Sequence, residues 1–264
     1  MEWKEISGNW VLIPPKPTGI VHFLGGAFVA TAPHITYRLL LENIADKGFV
    51  IIATPFVNTL DHTAIAELAL LNFERTLLRL EDREMLGKKY LPVYGLGHSM
   101  GCKLHLLIGS LFQVERAGNI LISFNNYAAR DAIPLIEQLN STFSTFNFNP
   151  NLAVEFTPSP LETQQLIQEN YSIRRNLLVK FDNDTIDQSA PLAKLLQQRF
   201  GEMVTTQILQ GNHLTPLGQD VKWQTGKDFN PLDAIGQWFK QEVYRDLQQL
   251  KRTIVFWLNP VSPL

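Results

Sequence analysis

Residues 91–105, LPVYGLGHSMGCKLH, decide the fold of this chain. The apolar run Pro92–Leu96 is typical of a buried strand, and Cys102–Leu111 has the apolar spacing of a helix. Between them, residues 97–101 match the pattern G-x-S-x-G, in which a serine occupies a tight turn from a strand into a helix. Glycines on both sides of that serine make room for neighbouring backbone. The segment therefore predicts that Ser99 projects from the carboxyl end of a strand as a nucleophile.

The rest of the chain alternates short apolar runs with longer helical patterns. Such alternation is typical of βαβ units, so the sequence predicts the α/β class, with a mostly parallel central sheet flanked by helices. The predicted inner strands are Gly19–Leu24, Phe49–Ala53, Pro92–Leu96, Asn119–Phe124, Asn176–Phe181 and Val204–Leu209. The other predicted helices are about Ile35–Ala45, Thr63–Leu80, Ala190–Phe200 and Leu232–Leu250. One or two antiparallel edge strands are predicted within Trp3–Ile13.

We expect residues 1–264 to form a single domain that contains one insertion. Residues 125–171 interrupt the alternation and are rich in Asn, Phe, Thr and Pro. We interpret this stretch as a small, mostly helical cap over the carboxyl edge of the sheet, and an irregular surface excursion is the alternative. Residues 159–162, SPLE, have the pattern of a capping box with proline at the first helical position.

Composition limits the classes of partner. The formal net charge is −2, so no strong basic field is available to attract nucleic acid. The single cysteine, Cys102, excludes an intramolecular disulfide and is expected to be a small packing residue in a helix. Apolar runs such as Phe49–Ala53 are much shorter than the roughly 20 residues that span a membrane. We therefore expect a soluble, cytoplasmic protein without a transmembrane segment.

The C-terminal residues 253–264, TIVFWLNPVSPL, are unusually apolar for a chain end. We expect them to pack on the body of the protein, and peripheral contact with a membrane surface is the alternative. The oligomeric state is not predicted by any pattern in the sequence.

A serine hydroxyl needs a base within hydrogen-bond reach, and a third group must orient that base. His213 directly follows the last predicted strand and is the candidate base. The loop after the preceding strand, residues 181–187, FDNDTID, offers three acids. We favour Asp184, three residues past the strand end, with Asp182 as the second choice because it could instead cap its own turn. Asp187 is expected to cap the following helix.

The oxyanion that forms during attack on a carbonyl needs backbone N–H donors. One donor is expected from Met100, directly after the nucleophile. The other is expected from residues 23–28, FLGGAF, where paired glycines let the chain turn. Ala27 is the favoured donor there, with Phe28 next, and an ordinary glycine turn is the alternative.

Other chemistries lack their signatures. The sequence contains no G-x-x-x-x-G-K-[ST] phosphate loop, and the paired glycines at 25 and 26 lack the third glycine of a dinucleotide site. Histidines and carboxylates are not spaced as metal ligands. We therefore expect neither a metal nor an organic cofactor.

At the serine motif, the glycine pair, Asp184 and His213, the sequence resembles the α/β-hydrolase superfamily from Gly19 to Leu250. In detail, residues 23–56, FLGGAFVATAPHITYRLLLENIADKGFVIIATPF, and residues 95–105, GLGHSMGCKLH, are similar to the DUF1350 family of cyanobacteria and plant chloroplasts. The resemblance implies the α/β-hydrolase fold, a photosynthetic source and an intracellular or plastid-type location, but no substrate. Many hydrolases of the superfamily have Asp-x-x-Gly-x-Gly after the second inner strand, where this chain has TPFVN at 54–58. Substrates of better-known esterases are therefore not carried over.

These observations predict hydrolysis of an ester, or of a thioester or amide, through an acyl-serine intermediate. The expected partner is a small-molecule ester, and phenylalanines in the predicted cap indicate that it is apolar, unless they bury the cap on the body. Those phenylalanines are Phe143, Phe146, Phe148 and Phe156. An acyltransferase with the same residues, and a non-catalytic binding or scaffold protein, are the alternatives.

Overall fold

The structure is a computed structural model that describes residues 1–27, 29–87, 90–129, 155–217 and 231–259, with side chains from Tyr244 onward in the last range. Within these ranges eight strands form one sheet. The strands are β1 Lys4–Ile6, β2 Asn9–Leu12, β3 Gly19–Leu24, β4 Phe49–Ala53, β5 Val93–His98, β6 Gly118–Ile122, β7 Asn176–Phe181 and β8 Val204–Leu209. Their order across the sheet is β1-β2-β4-β3-β5-β6-β7-β8.

Strand direction follows the predicted pattern. The pairs β1–β2 and β2–β4 are antiparallel, and every pair from β4 to β8 is parallel. The edge strands predicted within Trp3–Ile13 and the parallel inner strands are thereby confirmed. One predicted strand is too long, because β6 ends at Ile122 instead of Phe124. Ser123 has a φ of 52°, which is incompatible with an extended strand.

Seven helices lie within the described ranges. They are α1 Pro33–Thr36, α2 Arg38–Asp46, α3 His62–Asp82, α4 Met100–Leu111, α5 Pro160–Asn170, α6 Ser189–Phe200 and α7 Pro231–Leu258. The single helix predicted over Ile35–Ala45 is in fact two, because Tyr37 has non-helical backbone angles between α1 and α2. The last helix ends eight residues later than predicted, at Leu258 instead of Leu250, since Ile254, Trp257 and Leu258 are buried in the core. Their burial agrees with the packing expected of residues 253–264, of which residues 260–264 lie outside the described residues.

The helices cover both faces of the sheet. One face packs against α2 and α7, and the other packs against α3, α4, α5 and α6. Alternate residues of β3 divide between the two faces, so Val21 and Phe23 lie on the first and Ile20 and Leu24 on the second. Burial on both faces explains why the inner strands are continuous apolar runs.

The strand order predicts where a crevice should open at one edge of the sheet. The chain passes from β3 to β4 on one side and then returns to β5 on the other side of β3. At such a reversal the loops leaving the two strands separate, and a crevice opens at the carboxyl ends of the strands. The paired glycines follow β3 and Ser99 follows β5, so both border this crevice.

The described part of the predicted cap contains one helix. Ser159 and Glu162 form the predicted capping box at the start of α5, with Pro160 in the first turn. Residues 130–154, including Phe143, Phe146 and Phe148, lie outside the described residues. Over the described chain, none of the helices is both long enough and apolar enough to cross a bilayer.

Candidate active site

Ser99 occupies a strained turn between β5 and α4. Its φ of 54° and ψ of −120° lie in a region that residues with a side chain rarely adopt. The turn is held by hydrogen bonds from Ser99 N–H to Ile122 O (2.9 Å) and from Cys102 N–H to Ser99 O (3.0 Å). Such a conformation costs about 1–3 kcal/mol and is concentrated at functional sites.

The two glycines of the motif are required by close backbone contacts. A Cβ atom on Gly97 would lie 2.6 Å from Cys102 N, and one on Gly101 would lie 2.0 Å from Leu24 O. Both distances are far below contact distance, and the obstructing atoms belong to the backbone. The glycines therefore let α4 start directly against the end of β3, as expected from the motif.

Asp184 and His213 meet at the carboxyl ends of β7 and β8. His213 Nδ1 lies 2.9 Å from Asp184 Oδ2, and Ile186 N–H donates to Asp184 Oδ1 at 3.2 Å. Both residues are buried, with exposures of 6% for Asp184 and 7% for His213. Burial by itself disfavours the carboxylate, but the hydrogen bond and charge of His213, together with further hydrogen bonds such as that from Ile186 N–H, outweigh it, so the pKa of Asp184 is lowered. Asp184 is thus an ionised acceptor at neutral pH.

The other two acids of that loop have different partners. Asp182 Oδ1 accepts a hydrogen bond from Gly211 N–H at 3.0 Å, which ties the loop after β7 to the loop after β8. Asp187 accepts from the N–H and the hydroxyl of Ser189 at the start of α6. The structure therefore brings Asp184, rather than Asp182, to His213.

Ser99 Oγ has a partner that the sequence analysis missed. Asn125 Nδ2 donates a hydrogen bond to Ser99 Oγ at 3.1 Å. Among the hydrogen bonds of the described residues, none joins Ser99 to His213. Because the amide of Asn125 uses an acceptor position of the hydroxyl, the hydroxyl hydrogen stays available to a base. Asn125 follows β6, and β6 is the neighbour of β5, the strand that leads to Ser99. This position in the sequence was the signal that could have identified Asn125.

The loop after β3 lies against Ser99. A Cβ atom on Gly26 would lie 3.4 Å from Ser99 Cβ, so this backbone passes the serine at contact distance. Gly26 N–H donates to the Tyr37 hydroxyl, which leaves the next amide, that of Ala27, as the candidate donor. Met100 is the first residue of α4, so its N–H belongs to the first turn, where no intrahelical partner exists. Phe28, the second choice, lies outside the described residues.

His98, directly before Ser99, is buried between Tyr37 and the backbone of His213. Burial, with the nearby His213 contributing, lowers the pKa of His98 to about 3, so it is neutral.

Phe156, the described phenylalanine of the predicted cap, stacks on His62 with 4.3 Å between ring centroids. Phe156 therefore packs on the body of the protein. For this phenylalanine, the structure agrees with the alternative interpretation given above, in which the cap phenylalanines bury the cap instead of contacting substrate.

One family model covers nearly the whole chain. The family model described as Protein of unknown function (DUF1350) matches residues 2–260. The chain belongs to the DUF1350 family. The similarity seen at residues 23–56 and 95–105 thus extends over nearly the whole DUF1350 chain. Among curated proteins, none matches it by sequence.

Solved structures similar to this DUF1350 protein share the α/β-hydrolase fold. The fluorophosphonate-binding serine hydrolase FphF of Staphylococcus aureus has a TM-score of 0.58 and 15% identity, over 95% of this chain and 92% of that one. A carboxyl esterase from Bacillus coagulans has a TM-score of 0.56 and 14% identity, over 96% and 93%. A monoacylglycerol lipase from Paleococcus ferrophilus has a TM-score of 0.55 and 14% identity, over 99% and 100%. The predicted fold class is confirmed.

Proposed function

We propose that this DUF1350 protein is a serine hydrolase that cleaves a carboxylic ester through an acyl-serine intermediate. The observation that supports this most is the 2.9 Å contact between His213 Nδ1 and Asp184 Oδ2, at the same sheet edge as the strained Ser99. A strained serine and a buried carboxylate–imidazole pair have little value for stability alone. Together they match the roles of nucleophile, base and orienting acid.

The proposed mechanism follows from the direction of the hydrogen bonds. An ionised Asp184 can only accept, so His213 carries its hydrogen on Nδ1 and presents the lone pair of Nε2. That lone pair takes the Ser99 proton as Oγ attacks the ester carbonyl, and the imidazolium then protonates the leaving alcohol. The amides of Ala27 and Met100 stabilise the oxyanion. Water, activated by the same imidazole, releases the acid and restores Ser99.

The free enzyme does not need a Ser99–His213 hydrogen bond for this mechanism. Catalytic hydrogen bonds are often long in unliganded sites and tighten when substrate binds. In the free protein, Asn125 holds Ser99 Oγ instead. We propose that a bound ester turns the hydroxyl hydrogen of Ser99 toward His213 Nε2, while the Asn125 amide continues to donate to Ser99 Oγ.

The proposed substrate is an apolar ester. Three exposed apolar side chains lie in segments that follow strands of the sheet. Ile35 is in α1 after the glycine loop, Val57 follows β4, and Leu214 follows His213, with exposures of 67%, 66% and 44%. Exposed apolar side chains in segments that follow the carboxyl ends of the strands favour contact with an acyl chain.

Covalent labelling tests the proposal most directly. A fluorophosphonate probe should modify Ser99 in the wild-type protein, located by mass spectrometry, and the label should be absent in Ser99→Ala. The rate of labelling and the turnover of p-nitrophenyl esters should fall about 10⁴- to 10⁶-fold in His213→Ala. Turnover should rise with acyl chain length if the substrate is apolar.

Ser110→Ala is the matched control, because Ser110 is on the same helix and its hydroxyl, among the described residues, bonds only to Leu106 O. It should label and turn over like the wild type. Equal turnover by the wild type and Ser99→Ala would disprove the proposal. A wild type that neither labels nor hydrolyses any ester would indicate a binding or scaffold protein, and ester products of added alcohols would indicate an acyltransferase.

A further inference from the structure

A buried chain of hydrogen bonds connects the glycine loop, the serine turn and the loop of His213. Gly26 N–H donates to the Tyr37 hydroxyl at 2.8 Å. The Tyr37 hydroxyl lies 2.8 Å from His98 Nδ1, and His98 Nε2 lies 2.9 Å from the carbonyl oxygen of His213. Tyr37 and His98 are both buried. The chain therefore links the loop after β3 with the loop after β8, and no hydrogen bond among the described residues joins it to Ser99 Oγ.

Every hydrogen in this chain has a single allowed position. The His213 carbonyl can only accept, so His98 Nε2 must carry a hydrogen. Burial keeps His98 neutral, so Nδ1 is an acceptor and the hydrogen between Tyr37 and His98 belongs to the tyrosine. Burial also raises the pKa of Tyr37, which keeps its hydroxyl protonated. The Tyr37 oxygen then accepts from Gly26, and the chain runs in one direction from Gly26 to His213.

The two ends of the chain adjoin groups that the proposed reaction uses. Gly26 directly precedes Ala27, the candidate oxyanion donor, and the last acceptor is the backbone of His213 itself. In between, His98 directly precedes Ser99. We propose that Tyr37 and His98 are positioning residues, which hold the oxyanion loop and the base loop at fixed places on either side of Ser99. This inference rests on the proposed serine hydrolase function.

The alternative is that Tyr37 and His98 only fill the core, and Tyr171 provides a matched control for it. Tyr171 is also fully buried, and its hydroxyl also accepts one hydrogen bond and donates another, from Asn119 at 2.8 Å and to Asn176 at 2.7 Å. Those asparagines lie near the amino ends of β6 and β7, at the opposite edge of the sheet from Ser99. Loss of either tyrosine hydroxyl should therefore affect stability similarly, but only one should affect the reaction.

The first test compares Tyr37→Phe with Tyr171→Phe, using an ester that the wild type hydrolyses. Both variants should lower the midpoint of thermal unfolding by similar amounts. Tyr37→Phe should reduce kcat and the rate of fluorophosphonate labelling by about 10- to 100-fold, with KM nearly unchanged, because small misplacements of catalytic groups have effects of this size. Tyr171→Phe should keep the wild-type kcat. Equal kcat values for the two variants would overturn the inference.

The second test uses partial replacements of His98. The amide nitrogen of glutamine reaches about as far as Nε2, so His98→Gln can still donate to the His213 carbonyl. Asparagine reaches only about as far as Nδ1, so His98→Asn can accept from Tyr37 but does not reach His213. We expect kcat to be higher in His98→Gln than in His98→Asn. The reverse order would contradict the proposed link to His213.

The third test needs no variant that could fail to fold. In ¹⁵N NMR spectra of the wild type, His98 should be the neutral Nε2–H tautomer and should not titrate between about pH 5 and 8. An Nδ1–H tautomer, or titration in this range, would disprove the hydrogen-bond chain. Wild-type protein without labelling at Ser99 would instead disprove the proposed function, so the two failures are distinct.

Discussion

At the scale of single residues, the contact between Asn125 and Ser99 has a chemical consequence. When an acyl-serine breaks down, Ser99 Oγ is the leaving atom and negative charge returns to it. A donor already placed 3.1 Å from that oxygen stabilises this charge. Asn125 therefore assists the release of the acyl group more than its formation, if Ser99 is the nucleophile.

Replacement of Asn125 should slow deacylation. We expect Asn125→Ala to lower kcat about 10- to 100-fold, since a hydrogen bond to a charged group contributes about 1.5–3 kcal/mol. Asn125→Asp should be less active still, because a carboxylate repels the developing charge on Oγ. Rapid-mixing kinetics with a p-nitrophenyl ester should show acyl-enzyme accumulating as a burst in Asn125→Ala.

Asn126→Ala is the control for this prediction, because the Asn126 amide points elsewhere and donates to Pro160 O. It should show no larger burst than the wild type. An Asn125→Asp variant as active as the wild type would contradict the role assigned to this amide.

At the scale of elements, the position of α4 against β3 determines the serine turn. At the second residue of α4, a Cβ atom on Gly101 would lie only 2.0 Å from the backbone carbonyl oxygen of Leu24, so the two backbones pass very close to each other. Because both partners are backbone, neither can move without shifting a whole element. The geometry of Ser99 therefore depends on how closely α4 and β3 approach each other.

A methyl group at this contact should displace the helix. Gly101→Ala would place Cβ 2.0 Å from Leu24 O, whereas Gly26→Ala would place it no closer than 3.4 Å from its neighbours. Because overpacking destabilises a close contact, we expect Gly101→Ala to lower the free energy of unfolding by about 1–3 kcal/mol or more. We also expect this variant to lose the labelling of Ser99. Gly26→Ala should change the free energy of unfolding by less than about 1 kcal/mol. Urea unfolding compares the two, and similar losses in both would refute the argument.

At the scale of the whole molecule, a buried cation links the root of the predicted cap to the main body. Lys103 is one turn after Ser99 on α4 and is only 2% exposed. Its ammonium group donates to Pro158 O at 3.0 Å and lies over the Phe156 ring, just before α5 begins. Burial lowers the pKa of Lys103 to about 8 from its ordinary value of 10.5, although Glu155 and Glu162 oppose the effect.

This burial predicts how stability changes with pH. Below about pH 8 the folded protein holds a buried ammonium, so the full penalty is present. Between about pH 8 and 10.5 the unfolded chain keeps a proton that the folded protein releases, so the penalty is relieved as the pH rises. The gap between the two pKa values corresponds to roughly 3 kcal/mol. The free energy of unfolding of the wild type, relative to Lys103→Met, should therefore rise by about that amount across this range.

Urea unfolding of the wild type and of Lys103→Met at the two ends of this pH range measures the difference between their free energies of unfolding. The other titrating groups are the same in both proteins, so their contributions cancel from this difference. Lys47→Met, at an exposed lysine after α2, is the control that removes a lysine charge from a site that is not buried. A difference for Lys103→Met that does not vary with pH would mean that the ammonium is not buried in solution.

The amino-acid sequence by itself determined the features that depend on local order. Apolar runs and helical spacing predicted the parallel strands and the layers of helices, because these patterns repeat over a few residues. The G-x-S-x-G motif, with Asp184 and His213 after later strands, predicted the candidate residues, because a parallel sheet brings strand ends to one edge. Local pattern missed the break at Tyr37 and the end of β6 at Ile122, where backbone angles depend on neighbours distant in the sequence.

Only the tertiary structure decided which groups contact one another within that edge. Tyr37 and His98 are 61 residues apart, and His98 and His213 are 115 apart, so no short pattern relates them. The choice of Asp184 over Asp182 as the partner of His213, and the contact of Asn125 with Ser99, likewise depend on side-chain directions. A hydrogen bond requires positions accurate to a few tenths of an ångström, and only the packing of complete helices on the sheet sets positions that finely.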